Sequence, residues 1–137
     1  MSIVALIELK GIEALHPNCK SLAKLLLEKS PYKIRITETF RTAATQKKYF
    51  NQGRISPGSI ITNADELQSY HQYGLAFDIA FEGNYPYPKE YIKWKAIGEF
   101  GEKLGLIWGG RFNDNPHFEY HSGFTWKEFE EFFKGRK

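Results

Sequence analysis

Apolar positions recur along the chain at two spacings, three to four residues in some stretches and two in others. His16-Pro17 followed by Leu22, Ala23, Leu25, Leu26 and Leu27 predicts a helix to about Lys29, stopped by Ser30-Pro31. Ile34 and Ile36 alternate with Lys33, Arg35 and Thr37, the period of a short half-buried strand. Arg41-Thr42 leads into a helix through Gln46, Tyr49 and Phe50 that ends near Gly53. From Arg54 to Gln68 the pattern dissolves into loop, with Pro57-Gly58 as a turn signal and a polar run from Asn63 to Glu66. A loop of fifteen residues in a compact domain points to function rather than simple connection.

Leu75 to Phe81 is apolar apart from Asp78 and predicts a buried strand. Pro86 and Pro88 mark a loop, after which Glu90 to Leu104 carries Ile92, Ala96, Ile97, Phe100 and Leu104 at helical spacing, closed by Gly105. Leu106-Ile107-Trp108 and His117 to His121 predict two further strands around a Gly-rich bend. Thr125 with Glu128 forms a capping box for a last helix containing Phe129, Phe132 and Phe133. No repeat or linker interrupts the series, so the expectation is one α+β domain over residues 1–137, a small sheet with helices packed to one side.

Composition narrows the function. With 42% hydrophobic residues the chain can build a packed core, and at 16% aromatic it has rings to spare for lining a groove. The formal charge of +3 favours approach to an anionic polymer, yet the basic residues are interspersed with acidic ones. A dedicated nucleic-acid surface is therefore not expected. Cys19 is the only cysteine, which excludes an intramolecular disulfide, and its place among Leu22, Leu25 and Leu26 reads as a small buried side chain. Met1 to Ile7 is apolar but has no basic segment before it and is cut short by Glu8 and Lys10, so no signal peptide is expected. No run approaches the roughly 18 apolar residues of a membrane span. These features predict synthesis in the cytoplasm and no membrane partner.

The chemistry concentrates in Ser69 to Asp78, which places an imidazole in a turn and a carboxylate inside an apolar strand. Asp78, flanked by Phe77, Ile79 and Ala80, would lose on the order of several kcal/mol to desolvation unless paired or metal-bound. An ion pair with an arginine explains it as well as a metal does until His71 is added, because Gly74 lets the chain turn so that both heads converge. A catalytic zinc takes three protein ligands, and His117, opening a strand after Asn113-Asp114-Asn115-Pro116, is the third candidate. His121 competes, but in a strand it lies about 13 Å beyond His117 at a rise of about 3.3 Å per residue. His16 has no partner nearby in sequence and reads as structural. Water activation also needs a base. Asp114 lies three residues before His117, although in an Asn-Asp-Asn-Pro stretch it reads first as a turn former, and Glu119 is its rival. Arg41, at a strand end, suits either a developing oxyanion or a substrate carboxylate.

These elements occur in an ordered series. Phe40-Arg41-Thr42 is followed by Gln46, then by Gly53-Arg54, Pro57-Gly58 and Ile61-Thr62-Asn63-Ala64. The Ser-x-His-x-x-Gly-x-Ala-x-Asp run from Ser69 to Asp78 follows, then Trp108-Gly109-Gly110, and last Asp114-x-Pro-His117-Phe-Glu. Over about residues 15 to 121 this resembles the D-Ala-D-Ala carboxypeptidase/VanX-like zinc peptidases. Within them it is most similar to the L-alanyl-D-glutamate endopeptidases of phage endolysins and bacterial cell-wall hydrolases.

The resemblance implies a single zinc peptidase domain with a small antiparallel sheet of the hedgehog/D-Ala-D-Ala-peptidase kind. One Zn2+ would sit on His71, Asp78 and His117, with Asp114 as catalytic acid/base and Arg41 as transition-state or substrate-binding residue. Ser69, Gln46, Trp108 and Glu119 would bind substrate or support the site. The implied substrates are peptidoglycan stem peptides cut by a monomer, with release to the wall through a holin-made lesion if it is a lysin. Two alternatives remain beside the endopeptidase: a D-alanyl-D-alanine carboxypeptidase or dipeptidase, and a non-catalytic zinc-stabilised binding domain like the hedgehog signalling domain. Many relatives carry an Asp after Trp-Gly-Gly where this chain has Arg111, and the stretch that follows is shortened.

Overall fold

The computed structural model describes residues 11–62, 64–65, 68–121, 123, 127–128 and 130–131. Helix α1 spans Pro17–Lys29 and begins on a proline, whose missing N–H is no loss in a first turn. His16 caps it by accepting from the Asn18 backbone N–H at 3.3 Å, so the structural histidine does have a neighbour in sequence after all. Strand β1 is Ile34–Glu38, and α2 spans Ala43–Asn51 with Thr42 accepting from Thr45 N as its cap. Strand β2 is Ala76–Phe81. Helix α3 spans Tyr91–Leu104 and ends on Gly105 in the left-handed conformation, φ 104°. Strands β3, Ile107–Trp108, and β4, His117–Glu119, complete the sheet. Between α2 and a 3-10 turn at Tyr70–Tyr73, the described residues of the anticipated loop form no helix or strand.

The sheet is antiparallel throughout, in the order β1-β2-β4-β3. Side chains in a strand alternate between faces, and here the alternation separates core from site. Phe77 pairs with Phe118 and Trp108 with Phe118, and all three rings are wholly buried under the helices. Helix α3 lies so close that a Cβ at Gly98 would meet the Trp108 ring at 2.0 Å and one at Gly101 would meet Phe118 at 2.5 Å. Ala23 and Leu26 of α1 and Ile97 of α3 fill the same core. On the opposite face of β2 and β4, Asp78 pairs with His117 and Ala76 with Glu119.

Of the anticipated C-terminal helix, Lys127, Glu128, Glu130 and Glu131 are helical. Thr125, Phe129, Phe132 and Phe133 lie outside the described residues, as do Met1 to Lys10 and Asn63. Among the described residues no helix is long and apolar enough to cross a membrane. Cys19 is fully buried in α1, and burial pushes its thiol up to about 12, which removes it as a nucleophile.

Candidate metal centre and cleft

The polar face of β2 and β4 forms the floor of a cleft of about 1050 Å³. His71 Nε2, Asp78 Oδ1 and His117 Nδ1 lie within 4.8 Å of one another there, the one such group found among the described residues. The Asp78 oxygen is 3.4 Å from His71 Nε2 and 3.2 Å from His117 Nδ1. A tetrahedral centre with bonds of about 2.0 to 2.2 Å sets its donors about 3.4 Å apart, so these spacings suit such an ion.

Each member of the group is held by its own local structure. His71 sits in the 3-10 turn Tyr70–Tyr73, which Ser69 caps by accepting from His71 N at 3.2 Å while Gln72 bonds back to Ser69 N. Gly74 closes the turn with φ 69°, and a Cβ there would lie 3.2 Å from the backbone of Ala14 and His16. His117 follows a turn that is locked in four places. Asp114 N donates to Gly109 O, His117 N to Asp114 O, Ile79 N to Pro116 O, and the Trp108 indole to Asn115 O. Gly109 lies against this turn, where a Cβ would meet Asp114 O at 2.4 Å.

The far nitrogen of each imidazole is occupied. His71 Nδ1 donates to the Thr39 carbonyl at 2.7 Å, since a carbonyl only accepts. His117 Nε2 donates to Glu119 at 2.7 Å. Each ring therefore turns its other nitrogen toward Asp78, and such outer partners are the usual companions of metal-ligating histidines. The charges fit the arrangement. Burial would raise the Asp78 carboxyl, but hydrogen bonds from His117 and His71 hold it well below the usual carboxylate range. Burial opposes charge on His117 too, yet its bonds to Asp78 and Glu119 lift it to about 10. Burial would raise the Glu119 carboxyl as well, but the bonds and charges of His117 and His121 together lower it.

Asp114 stands on the rim, its side chain half-exposed, with Oδ2 3.9 Å from His117 Nδ1. Partial burial raises its carboxyl above the usual value, with His117 opposing the rise and Asp78 adding to it. Arg41 is on the other side, its side chain 9% exposed, with Nη2 4.0 Å from Asp78 Oδ2. Gln46 is fully buried behind it and accepts from Arg41 Nη1 at 2.7 Å and from Gln72 at 3.2 Å. Trp108 is buried in the core beneath the Asp114–His117 turn and does not line the cleft. Glu119 does, and also bonds His121, whose ring stacks on Tyr70 at 4.6 Å. His121 is thus tied to the site through Glu119 and is not in the three-residue group. Arg111 pairs with Glu102 on α3, at 2.7 and 3.0 Å, over the Trp108 ring.

Two participants escape a reading of the sequence. Thr39 acts through its backbone carbonyl, which no residue type announces. Glu38 bonds Arg41 on two sides, and its one sequence signal is an acidic residue continuing the inward positions Ile34 and Ile36 of β1.

Comparison with known proteins places this site in context. Residues 62–120 match the family described as D-alanyl-D-alanine carboxypeptidase. The chain is 37% identical over 121 residues to the peptidoglycan L-alanyl-D-glutamate endopeptidase CwlK of Bacillus subtilis (strain 168), covering 77% of this chain and 72% of that protein. Its fold resembles the Serratia marcescens L-Ala D-Glu endopeptidase ChiX with a TM-score of 0.62 and 20% identity, over 80% of this chain and 83% of the other. It also resembles VanY, a vancomycin-resistance D,D-pentapeptidase in complex with Zn(II), with a TM-score of 0.56 and 17% identity, over 84% and 83% of the two chains. Likeness at the level of fold extends to these solved structures and likeness of sequence to the Bacillus protein, and on the latter ground the chain belongs to the M15 family of peptidases and is a hydrolase.

Proposed function

We propose that this protein is a zinc peptidase that hydrolyses peptidoglycan stem peptides, cutting between L-alanine and D-glutamate. The observation that carries the zinc reading is the orientation of the two imidazoles, each with its far nitrogen engaged and its near nitrogen turned to the Asp78 carboxylate. The bond is assigned on the 37% identity to an endopeptidase of that specificity.

His71, Asp78 and His117 would hold the ion. Bound there, zinc would supply Lewis-acid polarisation of a carbonyl and a water of lowered pKa. Asp114 accepts the proton of the attacking water and returns it to the leaving amine, and a carboxyl raised above its ordinary value is better suited to both halves of that task. Arg41 donates to the carbonyl oxygen as negative charge develops on it. Glu119 keeps the His117 ring turned with Nδ1 toward Asp78, and Ser69 holds the turn that presents His71. Gln46 fixes Arg41 from behind, and Trp108 supports the Asp114–His117 turn from below.

Mass spectrometry of digested cell wall tests the bond. New peptides beginning at D-glutamate are expected, whereas release of terminal D-alanine alone would replace this reading with a carboxypeptidase. Asp114→Ala separates an enzyme from a binding domain. It should keep zinc and fold and lose hydrolysis, and undiminished activity would remove Asp114 from the reaction.

A further inference from the structure

Arg41 is held from three sides. Nε donates to Glu38 Oε1 at 2.8 Å, Nη2 lies 2.7 Å from Glu38 Oε2, and Nη1 donates to Gln46 Oε1 at 2.7 Å. The guanidinium also stands over the Tyr49 ring at 4.8 Å. A guanidinium has five N–H groups in a rigid fork. Three are engaged here, which leaves one on each terminal nitrogen. The two bonds to Glu38 use the Nε–Nη2 edge, a pairing by which arginine grips a carboxylate in two-point fashion. That grip is therefore already taken by a residue of the chain itself.

The backbone puts Glu38 there. Ile36 of β1 lies opposite Ile79 of β2, and an unbroken register would set Glu38 against Phe77. The register shifts between Ile36 and Glu38, and Glu38 lies opposite Asp78 instead. Bulges beside active sites commonly re-aim a side chain in this way. Glu38, Arg41 and Asp78 consequently line one wall of the cleft, with the guanidinium 2.7 Å from one carboxylate and 4.0 Å from the other. A substrate carboxylate could grip the same edge only by displacing Glu38, which exchanges one ion pair for another and leaves a glutamate without its partner.

We propose that Glu38 is a positioning residue: its carboxylate occupies the Nε–Nη2 edge of Arg41 and so directs the remaining N–H groups to the reacting carbonyl oxygen. This rests on the peptidase reading above.

The test uses the zinc-loaded protein and its Glu38→Gln and Glu38→Ala variants on purified stem peptides. Both variants should retain zinc. Misaiming a catalytic group by about 1 Å lowers turnover by up to about 100-fold, so kcat should fall about 10- to 100-fold. KM should stay within about threefold of the original, the signature of an interaction made in the transition state. Formate, a small carboxylate that fits the vacated edge, should restore part of kcat to Glu38→Ala and nothing to Glu38→Gln or the unmodified protein. In an Arg41→Ala background the Glu38 substitution should have no further effect. The Arg41 Nε–H resonance gives a readout independent of turnover: it should shift in Glu38→Ala and move back with formate. Unchanged kcat in both variants, loss of zinc together with activity, or an unmoved Nε–H resonance would overturn the proposal alone. An unmodified protein that binds zinc and cleaves no stem peptide would overturn the peptidase reading and this proposal with it.

Discussion

Phe77 and Phe118 face each other across β2 and β4 on one side of the sheet, and Asp78 and His117, the neighbours of each, face each other on the other. The same two strands thus carry two surfaces made by different physics. On the helix side the rings stack at 5.6 Å and the backbone of α3 presses directly onto aromatic carbon, so stability there depends on shape and on apolar area removed from water. On the cleft side each charge is balanced by a named partner: Asp78 by two imidazoles, His117 by Asp78 and Glu119, Arg41 by Glu38. A change on the first surface should act on stability in proportion to volume. One on the second should act on chemistry, with effects set by which charge loses its partner.

The largest effects test the second surface. Replacing His71, Asp78 or His117 by alanine should abolish stoichiometric zinc and lower kcat/KM by at least about 10³-fold, as expected for a reaction that needs its metal. Metal analysis beside a wall-lysis assay checks this, and a variant that kept both would remove its residue from the centre. Chelation should reproduce the loss in the unmodified protein, and added zinc should reverse it. Asp114→Asn should retain zinc while losing about 10²- to 10⁴-fold in kcat, the range for a general acid-base residue.

The first surface should behave otherwise. Phe118→Ala removes a ring packed against Phe77 and Gly101 and should destabilise the fold by about 3 to 5 kcal/mol in denaturant unfolding. If the comparison holds, any of this variant that remains folded binds zinc, because the neighbouring His117 is aimed by Glu119 and the Asp114 turn rather than by the ring. Gly98→Ala should be more disruptive than its single methyl group suggests, since the added carbon would lie 2.0 Å from the Trp108 ring.

The smallest expected effect is the pH response of the metal-free protein. His117 is raised from 6.5 to about 10, so its contribution to stability is complete below about pH 6.5 and fades as pH climbs through about 10. Asp78 and Glu119 are held below their ordinary values of 3.8 and 4.5, so their contributions are present above those values and are lost as pH falls further. Melting of chelated protein should therefore be highest between these limits. Because His117 must shed its proton to become a ligand, zinc binding near neutrality should release a proton, measurable by calorimetry in buffers of different ionisation enthalpy. Zinc uptake without proton release would contradict the assigned state of His117.

How much of this is legible in the sequence depends on how local each cause is. The helix at Pro17–Lys29, the α3 helix ending at Gly105 and the strand around Asp78 follow from spacing, because their determinants lie within a few residues. Asp78 stands out because a carboxylate in an apolar strand demands a partner, and Gly74 signals the turn that brings His71 to it. The place of Trp108 has no such local cause. Its indole lies in the core, and its link to the site is a bond to the Asn115 carbonyl, which requires the β3–β4 pairing to exist first.

Hydrophobic period, Gly and Pro positions and uncompensated charge are properties of short segments, so the elements, the turn chemistry and the candidate trio of His71, Asp78 and His117 are written in the linear chain. How those side chains are aimed is a property of the assembled fold. The Thr39 carbonyl on His71, the Glu119 carboxylate on His117 and the bulge that sets Glu38 against Arg41 depend on contacts between distant segments and on strand register, which a linear pattern does not contain.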